Sequence, residues 1–187
     1  MRMFVAVIPP AEVIEDLEEF LEPRREAGTD LRWTDPEQLH LTLAFLPEVS
    51  TASVDRLIDA LGDRLACVPA LAVRLAEGGA FPNPYAARVL FAGVAGAEGR
   101  LESLARAARG ACVRAGAEVD GGRFHPHVTI ARSKRPLEAT RWIRVLQAYD
   151  GPGWVADEVA LIETHLGEGR GRRPRYERVA TVPLASA

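Results

Sequence analysis

The chain has 187 residues, 48% of them apolar and 26% charged, and a net charge of −3. That balance suits a globular protein with a real core, and it excludes a protein that coats long nucleic acid through counterion release. The longest apolar runs, such as "MFVAVIPP", are too short to cross a bilayer. The opening also lacks the segments of a signal peptide, so a cytoplasmic protein with no membrane contact is expected.

In chain order, "RMFVAVIPP" reads as a strand stopped by Pro9 and Pro10. The next segment, "AEVIEDLEEFLEP", sets Val13, Ile14, Leu17, Phe20 and Leu21 on one helical face, with Pro23 as its limit. "LHLTLAF" alternates strictly. Leu39, Leu41, Leu43 and Phe45 share one side, while His40, Thr42 and Ala44 share the other. Ser50 or Thr51 is a suitable N-cap for a second helix carrying Val54, Leu57, Ile58, Leu61 and Leu65.

Two strand-like runs, "ALAVRLAEGG" and "ARVLFAGVAG", flank the turn-rich "AFPNPYA". A third helix is expected over about 98–115, stopped by Gly116. The strand "FHPHVTIAR" follows, then a fourth helix near 138–149 and strands near 154–164 and 175–183. Mixed helices and largely antiparallel strands, with no long linker, predict an α+β fold in which two sheets face each other across a groove.

Two tetrapeptides, one in each half, share the pattern His-x-Thr followed by an aliphatic residue: "HLTL" at 40–43 and "HVTI" at 127–130. They hint at an internal duplication. Side chains two apart on a strand point to the same face, so His40 stands beside Thr42 and His127 beside Thr129. In the first strand the reverse face is apolar and wants a core. The His/Thr face is left for a cleft, because burying it unpartnered costs a few kcal/mol per polar group.

Two facing imidazoles suit in-line displacement at phosphorus. One, neutral, takes a proton from the nucleophile, while the other, protonated, gives one to the leaving oxygen. Thr42 and Thr129 would donate to the non-bridging oxygens where charge builds. No carboxylate cluster or Cys/His set accompanies the motifs, so neither a metal nor any other cofactor is expected. Phe81, in the turn-rich segment, is a candidate for stacking on a nucleobase.

The other polar features read as structural. His125 precedes His127 by two positions, but Pro126 interrupts pairing there, so a supporting role is expected, with His-x-His metal spacing as the alternative. His165 has no motif around it. Trp33, Phe45 and Tyr176 are expected in the core or at the cleft rim. Cys67 and Cys112 read as reduced, semi-buried thiols. Apart from Lys134, the basic residues are arginines, locally dense at 131–136 and 170–178. A solvated surface is the ordinary reading of both patches, and a rim attracting a phosphate-bearing substrate is the alternative.

The paired motifs resemble those of the two-histidine phosphoesterase superfamily. "RMFVAVIPP", "LRWTDPEQLHLTLAFLPEV", "GGAFPNPYAARVLFAGV", "FHPHVTIAR" and "RYERVATVPL" are together similar to the LigT-like RNA 2′,3′-cyclic phosphodiesterases, also called 2′-5′ RNA ligases. The resemblance implies one bilobal domain over 1–187, with helices on the outer faces and both motifs in a central cleft. It implies opening of a 2′,3′-cyclic phosphate at an RNA terminus to a 2′-phosphate, with His40 as proton donor and His127 as proton acceptor. The near-symmetric motifs alone do not order those two roles. Arg132 matches a family position suited to gripping phosphate, yet strict alternation from His127 sends it to the opposite face unless the strand bulges near Ala131. The expected partner is an RNA terminus or nucleotide bearing a cyclic phosphate, bound by a monomer. Ligation by the reverse reaction and non-catalytic RNA-end binding are the alternatives.

Overall fold

The computed structural model describes residues 1–186. The strands are β1 (Arg2–Val7), β2 (Leu31–Trp33), β3 (Leu41–Leu46), β4 (Leu71–Phe81), β5 (Ala87–Ala95), β6 (His127–Leu137), β7 (Asp150–Ala156), β8 (Glu158–His165) and β9 (Arg175–Pro183). The α-helices are α1 (Ala11–Leu21), α2 (Val54–Leu65), α3 (Arg100–Arg114) and α4 (Thr140–Leu146). The fold is α+β, and the strands pair antiparallel throughout.

Their order is β7-β4-β5-β6-β3-β1-β8-β9, with β2 on β6. The expected pair of separate sheets is therefore one hydrogen-bonded ladder. Its two halves meet only where β3 touches β6, at Leu41 opposite Val128. Outward from that junction, β3 is followed by β1, β8 and β9, and β6 by β5, β4 and β7. Along the chain, β1-α1-β3-α2 is answered by β5-α3-β6-α4. The duplication read from the two tetrapeptides is thus repeated in topology, and β2 is the strand without a counterpart.

The periodicity of the sequence explains the layering. Met3, Val5 and Val7 of β1 face the helices and join a core that runs through both halves, together with Val13 and Leu17 of α1, Leu57, Leu61 and Leu65 of α2, and Leu104 and Ala108 of α3. Phe4 and Ala6 face the other way. They form a smaller cluster with Ala160 and Ile162, against which Phe45 and Tyr176 pack. Helix α2 begins at Val54 after a short 3₁₀ turn and has no side-chain N-cap bond, so Ser50 and Thr51 do not cap it. A cap is worth about 1 kcal/mol. Each of the three fully buried leucines contributes roughly 1.5–3 kcal/mol, and burial decides the helix.

Two expectations are corrected, and one strand is added where none was expected. The single strand near 154–164 is two strands on different partners, β7 on β4 and β8 on β1, with the chain changing sides at Asp157. The "LRW" segment pairs as β2. Cys67 is exposed, whereas Cys112 is buried, and burial pushes its thiol up to about 12. No described helix is long and apolar enough to cross a membrane.

Candidate active site

His40 ends the turn before β3, and His127 opens β6, so the junction strands deliver both imidazoles to one place. His40, Thr42, His127, Thr129 and Arg132 line a single cavity of about 290 Å³ between the halves. Each ring is anchored the same way. His40 Nδ1 donates to the Gln38 carbonyl and His127 Nδ1 to the His125 carbonyl, both at 2.6 Å. A carbonyl only accepts, so each Nδ1 carries the hydrogen and each Nε2 is left free for chemistry.

Aromatic rings fix the planes of both imidazoles. Phe4 lies 4.6 Å from His40 and Tyr176 5.5 Å, edge-on. Phe81 and Phe91 lie 5.0 and 5.4 Å from His127. Burial holds both imidazoles below the ordinary histidine range. The backbone bonds oppose that shift, and the Arg132 charge adds to it. Each histidine is also affected by a second one, His40 by His127 and His127 by His125. Burial raises the Tyr176 phenol, and Arg132 pulls it down. The guanidinium of Arg132 thus reaches every titrating ring of the cavity it lines.

Arg132 faces the cavity because β6 bulges. Leu90 pairs with Ala131 and Phe91 with Thr129, so Ile130 has no partner in β5. Ile130 and Ala131 both turn into the core, at 1% and 0% exposure, and alternation restarts with Arg132 pointing the other way. Strand β3 does the same. Val5 pairs with Ala44 and Ala6 with Thr42, leaving Leu43 unpaired. Leu43 and Ala44 are both fully buried, and Phe45 turns to the cavity, away from the face it was expected to share with Leu41.

The carbonyls at the two bulges find donors other than the strands they bulge against. Arg109 Nε donates to Leu43 O at 3.0 Å, and Thr34 N donates to Ile130 O at 2.9 Å. Burying either carbonyl without a donor would cost about 1–3 kcal/mol. Arg109 also donates to Gly122 O at 2.8 Å, tying α3 to the segment that leads into β6.

The sequence pattern of the 2′-5′ RNA ligase superfamily matches residues 8–168. This chain belongs to that superfamily. It is 38% identical to the RNA 2′,3′-cyclic phosphodiesterase of Thermus thermophilus, over 89% of this chain and 83% of that protein. It is 30% identical to the protein of the same name from Geobacillus stearothermophilus, over 98% of this chain, but it spans only 57% of that relative's length. Escherichia coli LigT in complex with 3′-AMP superimposes with a TM-score of 0.76 at 26% identity, covering 98% of this chain and 97% of that one.

Beside the two His-x-Thr pairs, the remaining candidates fall as follows. Phe81 stacks on Phe91 at 4.4 Å and is flanked by His125 and His127, so it belongs to an aromatic cluster behind His127. The His125 ring is exposed, and what that residue brings to the site is its carbonyl. Thr34, Gln38, Phe4, Arg2 and Arg109 were not singled out from the sequence. Arg2 lies 4.8 Å over the Phe45 ring at the cavity wall.

Glu163, His165 and Glu177 bring metal-type donor atoms within 4.8 Å of one another. They alternate along β8 and β9 with Thr164 and Tyr176, which line the cavity, and so lie on the opposite face. Arg175 already bonds Glu177 at 3.2 Å and Glu168 at 2.9 Å. That cluster is ion-paired and separate from His40 and His127.

Proposed function

We propose that this chain is an RNA 2′,3′-cyclic phosphodiesterase that works by general acid–base catalysis without a metal ion. His127 Nε2 takes a proton from water as its oxygen attacks phosphorus. The bond from phosphorus to the 3′ oxygen breaks, His40 Nε2–H protonates that oxygen, and the product is a 2′-phosphate with a free 3′-hydroxyl. Thr42 and Thr129 donate to the non-bridging oxygens, and Arg132 grips them with its fork. Phe81 steadies the His127 ring and contributes an aromatic wall beside it.

The observation that carries this reading is the matched anchoring of the two rings, which leaves both Nε2 atoms free beside one cavity that also contains both threonines and Arg132. The names of the relatives agree with the reaction. The order of the two roles follows the family resemblance. The anionic phosphate supplies what the free protein lacks: it favours imidazolium at His40, whose proton the buried site otherwise sheds.

The test is product analysis on an oligonucleotide ending in a 2′,3′-cyclic phosphate, with a chelator present. A 2′-phosphate product at an undiminished rate is expected. A 3′-phosphate product, or loss of turnover on chelation, contradicts the mechanism. Survival of the cyclic end would make the site a binding module. The superfamily's name gives a second reading some weight: the same pair run in reverse, with a 5′-hydroxyl in the place of water, makes a 2′-5′ linkage. Supplying a 5′-hydroxyl RNA in the same incubation separates ligation from hydrolysis.

A further inference from the structure

Beside the shared cavity lies an annex of about 140 Å³, walled by Arg32, Arg132, Arg173, Trp33, Gln38 and Tyr176 and opening onto His40 and Thr129. Its charge is concentrated. Arg32 of β2 sits directly opposite Arg132 of β6 in the strand ladder. Like charges in that position repel, and a protein of net charge −3 has carboxylates to spare for neutralising them. Among the described residues, no carboxylate is ion-paired with Arg32 or Arg132, whereas Arg173 is held 3.1 Å from Asp35 and donates to the Trp33 carbonyl, also at 3.1 Å. Three guanidiniums with one carboxylate among them make a standing site for an anion.

The annex also breaks the symmetry of the fold. Arg132 is the fifth residue after His127, and the fifth after His40 is Phe45. Arg32 comes from β2, the strand with no counterpart in the other half. The three guanidiniums of the annex therefore lie at the end lined by His40 and not by His127, whereas the one arginine over Phe45 is Arg2. In the proposed reaction His40 protonates the ribose 3′ oxygen, so the nucleoside, and whatever is attached to its 5′ oxygen, lies on that side.

We propose that Arg32 and Arg173, with Arg132, form a subsite for the phosphodiester that precedes the cyclic end, which makes an RNA terminus, rather than a mononucleotide, the preferred substrate. This rests on the phosphodiesterase reading above. The subsite recognises charge and shape at the diester. Base identity plays no part in it.

Three substrates test it: a nucleoside 2′,3′-cyclic phosphate, a dinucleotide ending in one, and the same dinucleotide with an uncharged methylphosphonate linkage. The natural dinucleotide should exceed its methylphosphonate analogue by about tenfold or more in kcat/KM, mainly through KM. In Arg32→Ala, at an exposed position, and in Arg173→Ala, that ratio should fall towards one, with the melting temperature of each variant checked against wild type. Equal efficiency on both dinucleotides in the wild type, or an unchanged ratio in both variants, overturns the subsite and leaves the chemistry standing. A wild type that opens none of the three overturns the phosphodiesterase reading, and the subsite falls with it.

Discussion

Leu43 and Ile130 hold the same place in the two halves of the fold. Each is the third residue after its motif histidine, each is left without a partner at the bulge, and each carbonyl takes its donor from somewhere other than the strand it bulges against. The bulges let both strands keep His and Thr on the cavity side and then bring a further side chain to that side, Phe45 in one half and Arg132 in the other.

Arg109 is the outside donor for Leu43. Arg109→Met, which keeps much of the apolar stem, should destabilise the protein by about 1–3 kcal/mol, because the Leu43 carbonyl is left without its donor. Chemical denaturation reads this directly. Stability equal to wild type would mean that water serves the bulge as well.

The rate should depend on pH in a way that departs from free imidazole. Both histidines are held below their ordinary value of 6.5 in the free protein, chiefly by burial. Protonation of the base and deprotonation of the acid bound the profile, so kcat/KM should peak on the acid side of 6.5. Bound substrate favours imidazolium, and the alkaline limb of kcat should lie at higher pH than that of kcat/KM. An optimum well above 7 in kcat/KM contradicts the burial argument.

Arg132 acts on the same titrations through its charge. Arg132→Gln should cost about 10²-fold in turnover by loss of the charged fork, and should also move both limbs of the kcat/KM profile to higher pH, because a neighbouring cation that opposes imidazolium is gone. A fall in rate with an unmoved profile would place the guanidinium outside the reacting cavity.

Linkage carries the same shifts into stability. A histidine whose pKa is lower in the folded state binds fewer protons there than in the unfolded chain, so stability is complete above 6.5 and declines as pH falls from that value through the lowered one. Replacing His40 by Gln removes this proton uptake. The drop in melting temperature between pH 8 and pH 5 should be smaller in His40→Gln than in wild type. An equal or larger drop contradicts it.

Most of the strands, the four helices and the two motif pairs were legible because burial periodicity and the His-x-Thr spacing are local signals. The bulges were not. "LHLTLAF" alternates without fault on the page, and which residue goes unpaired is decided by β1, far along the chain. Arg132 was recognised by resemblance, but its orientation depended on the same kind of long-range register. The annex was legible only in part: the arginine-dense stretches at 131–136 and 170–178 carried a phosphate-attracting rim as their alternative reading, but Arg32 comes from a distant segment and nothing local joins it to them. The split between β7 and β8 turns on a change of partner at Asp157 that hydrophobicity does not record.

The central claim is that two imidazoles divide the proton transfers at one phosphorus, with His40 on the leaving oxygen. A substrate in which sulfur replaces the 3′ oxygen tests it most directly, since a thiolate leaves without a proton. With the natural cyclic phosphate, His40→Ala and His127→Ala should each lose 10³-fold or so in turnover while staying folded. With the 3′-thio substrate, His40→Ala should recover to within about tenfold of wild type and His127→Ala should not. Recovery of His127→Ala instead would reverse the two roles, and recovery of neither would contradict acid–base division between these residues.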